Sequence, residues 1–180
     1  MKTFLTVIFL LSSPWVIADQ NDPRLPELFE QLKAAENAMD AGMIEIRIWD
    51  IWGEHPDPEI AEMMFFAQDE LSGNQYGLAL QAFTEIIELA PEFSEAWNMR
   101  ATTHFLLGNY QESEADIMRT LELEPNHFGA LSGLGQVYVS TEQYYDARNV
   151  LRRALQVNPT MPSVIANLEA LQRYFNATAI

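Results

Sequence analysis

Three histidines, 26 carboxylates and no cysteine are the groups with which this 180-residue chain could do acid–base, metal or nucleophilic chemistry. Without a thiol there is no cysteine nucleophile and no thiolate metal ligand. His55 stands beside Asp57 and Glu59, a set able to touch a divalent cation, yet Pro56 and Pro58 break the helix that metal-ligand spacing would need. His104 and His127 have no convincing partner for nucleophilic or metal chemistry. The serine nucleophile elbow, the phosphate-cradling glycine loop and the helical His-Glu-x-x-His zinc motif are all absent. Two carboxylates could make an acid/base pair, but Glu85, Glu88, Glu112, Glu114 and Glu122 fall where a solvated helix face is expected. The reading is no catalytic residue, no cofactor and no metal.

The elements that position these side chains begin after a distinct N-terminus. Lys2, the apolar run Phe4 to Leu11 and the small residue after Val16-Ile17 compose a secretory leader over residues 1–18, with the mature chain starting at Asp19. The run is about half the length of the ~20 residues a spanning helix needs. An uncleaved anchor is the alternative, and the absence of cysteine excludes a lipid-carrying one. An exported chain without disulfides must be stabilised by packing alone, which suits a bacterial periplasm. Loss of Lys2 takes the net charge from −16 to −17, since all 26 acids remain. Phosphate backbones and anionic lipid surfaces repel such a chain, so nucleic acid and stable membrane insertion are not expected.

Self-similarity then fixes the architecture. Tyr76, Tyr110 and Tyr144 are 34 residues apart, as are Pro91, Pro125 and Pro159, and the same step relates Phe83, Ile117 and Leu151. Inside each unit Ala96-Trp97, Arg100-Ala101 and His104-Phe105 recur every three or four residues, one face of a helix. Gly108-Asn109 signals a turn, and a second helix runs from Tyr110 to Leu123 before Pro125 stops it. Small residues at Ala101, Gly135, Ala79, Ser113 and Ala147 let paired helices approach closely.

This order of aromatic, small, turn, tyrosine, small, aromatic and proline resembles the tetratricopeptide repeat. The resemblance implies an all-α, right-handed α-α superhelix of three units, residues 60–93, 94–127 and 128–161, with a capping helix over 162–175 that carries Ile165, Leu168 and Leu171. In the third unit Thr141-Glu142 stand where a glycine-rich turn is expected, leaving that turn's geometry open. Over residues 19–57, Leu25 to Met39 and Ala41 to Trp52 read as a helical pair across the turn Asp40-Ala41-Gly42, a degenerate repeat joined to the array by Glu54 to Pro58. With its Ile48-Trp49-Asp50-Ile51-Trp52 run, the chain resembles small acidic exported proteins of alphaproteobacteria that carry such repeats.

The resemblance also implies a function, the holding of a protein or peptide client on the concave face lined by the first helix of each unit. By analogy the groove residues are Met64 and Gln68, then Asn98, Thr102 and Phe105, then Ser132 and Gln136, on a wall that reads as neutral and mildly apolar. The lysine, arginine and asparagine clamp that grips the C-terminal carboxylate of heat-shock chaperones has no cations here, since Met64, Gln68, Met99, Gly129 and Gly133 occupy its places. His104 sits where the repeat carries a packing residue. Arg100 replaces an expected leucine and is read as the structural ion-pair partner of Asp116. Trp49 and Trp52, with Phe65 and Phe66, are expected to join the N-terminal pair to the array. Two other readings stand beside the client scaffold, a self-associating structural scaffold and a hydrolase or metal-dependent enzyme on a repeat fold.

Overall fold

A computed structural model describes residues 21–178, and the leader expected over residues 1–18 lies outside them. Among the described residues there are only helices and turns: α1 (Leu25–Lys33), α2 (Ala38–Gly53), α3 (Pro58–Ser72), α4 (Tyr76–Leu89), α5 (Ser94–Leu106), α6 (Tyr110–Leu123), α7 (Phe128–Ser140), α8 (Tyr144–Val157) and α9 (Pro162–Thr178). From α3 to α9 each helix packs on the next in chain order, the nearest-neighbour stacking of an all-α superhelix closed by a C-terminal helix. No helix is long and apolar enough to cross a membrane among the described residues.

Three turns divide the hairpins at one-unit spacing. Asn74, Gly108 and Glu142 all take left-handed backbone, at φ 59°, 77° and 60°. In each, the next N–H reaches back to close the helix end: Gln75 to the Glu70 carbonyl at 2.8 Å, Asn109 to His104 at 2.9 Å and Gln143 to Tyr138 at 2.7 Å. The third turn thus has the geometry of the other two although its pivot is a glutamate. Ala147 and Gly135 let α7 and α8 approach, and a Cβ on Gly135 would meet the Leu151 side chain at 2.3 Å.

The N-terminal pair departs from the sequence reading. Its turn lies at residues 34–37, because the extended Asn37 accepts hydrogen bonds through Oδ1 from the Met39 and Asp40 backbone N–H, both at 3.0 Å. An N-cap here starts α2 early and leaves Gly42 inside the helix. Nor does the pair stack on α3–α4 as a preceding unit in register would: α2 packs on α5 and α1 on α8. The apolar core divides accordingly. One cluster, with Met64, Phe83, Ile86 and Phe93, belongs to α3, α4 and the entry to α5. The other runs from Leu28 and Trp52 through Phe128 and Leu131 to Leu171, joining the N-terminal pair to the later units.

Candidate functional site

The inner wall is built by α5 and α7, and a partly buried cation holds α5 in place. Arg100 Nε and one terminal nitrogen donate to the two Oδ atoms of Asp116, each at 2.7 Å, while the other donates to Thr84 Oγ1 at 3.2 Å. The guanidinium also lies 4.9 Å over Trp97. With side chains only 17% and 7% exposed, this fork ties α4, α5 and α6 together, so it links the first unit to the second. Ser113 adds a hydrogen bond from Oγ to the Ala101 carbonyl at 2.8 Å, joining α6 to α5.

Part of the wall is covered by the protein's own α2. His127 Nδ1 accepts the Ala130 backbone N–H at 3.1 Å, capping α7, so the ring proton lies on Nε2. Nε2 donates to Glu95 Oε2 at 2.9 Å, and the same oxygen accepts from Asn98 Nδ2 at 3.1 Å. The Trp52 indole stacks on the imidazole at 4.0 Å and 11°, with Trp49 edge-on to both His127 and Phe128. Trp49 lies so close to α7 that a Cβ on Gly129 would fall 2.4 Å from its Cη2. Asn158 Nδ2 donates to Glu45 Oε1 at 2.7 Å and fixes the other side of α2. Beneath the pair, burial pushes the Glu124 carboxyl above the usual carboxylate range, opposed by its hydrogen bond from the Asn126 N–H.

What remains open is a cleft of about 190 Å³ between α5 and α7. It brings together Asn98, Thr102, Phe105 and Gln136, with Leu106, Ile117 and Gly133 completing its lining. Gln136 and Thr102 are exposed, Phe105 is half-buried against Tyr110, and Asn98 is nearly covered, one amide hydrogen already given to Glu95. The other three sequence candidates lie outside this cleft. Met64 is only 2% exposed within the first core cluster, Ser132 is buried, and Gln68 is half-buried on α3.

Sequence reasoning missed Glu95, His127 and Gly129 as the seat of the N-terminal pair. It also grouped the tryptophans with Phe65 and Phe66, which stand 74% and 49% exposed on α3. The signal was present in Trp49 and Trp52 themselves. Two indoles three residues apart need a large apolar seat, and a lone helix pair cannot supply it. Among the described residues no three His, Asp or Glu side chains converge as a metal site.

Comparison with known proteins places this geometry. Two models described as tetratricopeptide repeat match residues 66–128 and 129–161. A TPR repeat-containing protein of Rhizobium etli is 38% identical over 114 residues, 63% of this chain and 56% of that protein. A protein SGT1 homolog of Oryza sativa is 33% identical over 43% of this chain and 21% of its own length, so the chain spans little more than half of one relative and a fifth of the other. Among solved structures, the Arabidopsis OM64 TPR domain superposes with a TM-score of 0.63 at 20% identity, over 64% of this chain and 96% of that one. The first TPR of Spaghetti (RPAP3), bound to an HSP90 peptide, gives 0.63 at 16% identity over 65% and 93%.

Proposed function

Because the chain belongs to the tetratricopeptide-repeat family, we propose that it is a scaffold or assembly factor that holds an extended segment of a client protein in the cleft between α5 and α7. The observation that carries this reading is the convergence of Phe105, Leu106 and Ile117 with the polar groups of Thr102 and Gln136 in one open cleft. An apolar client side chain fits against Phe105, while the Gln136 amide, free to donate and accept, bonds the client backbone. No Lys or Arg lines the cleft. The client is therefore gripped along its length through neutral groups and not by its C-terminal carboxylate, and nucleic acid is not a partner.

The leader-like residues 1–18, the acidic balance and the lack of cysteine support work in the periplasm of a Gram-negative bacterium. Neither a self-contained enzyme nor a metal site is part of the reading, since the cleft contains no acid, base or nucleophile pair.

The test is site-directed photocrosslinking in envelope extract. A photoreactive phenylalanine analogue replacing Phe105 is expected to trap a discrete set of proteins, and Gln136→Ala to lower that yield severalfold. The same analogue at Leu89, 60% exposed on α4, serves as the control. Identical adducts from both positions would sink the assignment of the cleft.

A further inference from the structure

The two ends of the array carry apolar clefts of opposite charge. At the first end, α3 and α4 enclose about 220 Å³ lined by Met63, Phe66, Leu78, Ala82 and Glu85. The N-terminal pair docks on α5 and α8, so among the described residues this face is left largely uncovered, with Phe66 and Leu78 49% and 48% exposed. The helices α3 and α4 contain six carboxylates (Glu59, Glu62, Asp69, Glu70, Glu85, Glu88) and no Lys or Arg.

At the last end, α8 and α9 enclose about 290 Å³ lined by Leu155, Ile165 and Leu168 together with Arg148, Arg152 and Glu169. These two helices hold four arginines against Asp146 and Glu169, a local positive balance in a chain of net charge −16. Arg152 has no ion pair among the described residues, and Arg148, stacked 4.8 Å over Phe175, keeps a buried Nε without a hydrogen-bond partner. Among the described residues α9 packs chiefly on α8, and the cleft between them stays open.

We propose that these ends meet: the α3–α4 face of one copy docks on the α8–α9 face of the next, in a head-to-tail association that continues the stacking within the chain. Charge selects the second copy and its orientation. Two α3–α4 ends placed together would oppose carboxylates with carboxylates, whereas α3–α4 against α8–α9 sets Glu85 near Arg152 over two apolar clefts. Such a contact is heterologous and does not close as a two-fold dimer does. It is independent of the cleft between α5 and α7.

Sedimentation equilibrium of the purified protein over a concentration series up to the millimolar range tests it. The weight-average mass is expected to rise with concentration. Glu85→Arg or Arg152→Glu alone is expected to weaken association by about tenfold or more, because each sets like charges at the contact. An equimolar mixture of these two variants is expected to restore it, since every contact between unlike copies again joins opposite charges, and a mass that climbs past that of a dimer separates this open contact from a two-fold one, whereas a plateau at the dimer would overturn it. Leu78→Ser, checked for native helix content, provides a charge-neutral disruption of the same face. A protein that stays monomeric throughout, or an association indifferent to both charge reversals or unrescued by mixing, would overturn the proposal.

Discussion

The first unit and the later two are built from the same 34-residue pattern, yet their inner faces have different fates. On α3 the first unit turns Met64 into its own core and leaves the neighbouring Phe65 and Phe66 in solvent. On α5 and α7 the corresponding wall carries a buried polar chain, Asn98 to Glu95 to His127, which the N-terminal pair seals with two indoles. Repeat identity fixes helix pairing. What lies on each unit is decided by single residues: Gly129 permits Trp49 to reach α7, and His127 offers Trp52 a flat partner. The open cleft is consequently what α2 leaves uncovered between α5 and α7.

This contrast can be broken most severely at Trp52, which is fully buried in the second core cluster. Trp52→Ala is expected to cost about 4 kcal/mol of stability through the cavity left behind. Amide exchange should show protection lost first in α1, α2 and the start of α7, with α3 and α4 least affected. Uniform loss over all helices would mean that the two core clusters act as one.

Asp116→Ala strikes the joint between the two regions. Stripping the Arg100 guanidinium of its bidentate partner is expected to cost on the order of 3 kcal/mol in a chemical denaturation curve, because the charge stays largely buried. A curve overlaying the wild type would show the fork to be dispensable. The smallest effect is a gain. Glu142 holds φ 60° without glycine, so Glu142→Gly is expected to stabilise by about 1 kcal/mol, seen as a higher melting temperature. The same change at Gly108, made in reverse as Gly108→Glu, should destabilise by a similar amount.

Much of the array was legible because its signals are local. Tyrosine, small residue and proline at a 34-residue step specify turn, close approach and stop without reference to anything distant. The N-terminal pair was harder. Gly42 suggested a turn, but Asn37 four residues from Lys33 supplied a stronger N-cap, and the helix started there. Of the seven groove candidates, Asn98, Thr102, Phe105 and Gln136 share the cleft, whereas Met64 and Ser132 are drawn into packing. A helix-face register says which direction a side chain leaves the axis. It does not say whether another element waits there.

By itself the sequence determined the helix pairs, their order and their stacking, since each hairpin's apolar stripe can be buried only against its chain neighbours. The tertiary structure alone decided where α1 and α2 go. Their seat on α5, α7 and α8 joins residues more than a hundred positions apart, as Glu45 and Asn158 are, and is selected by shape: a missing side chain at Gly129, a flat imidazole at His127 and two indoles with no room in their own pair.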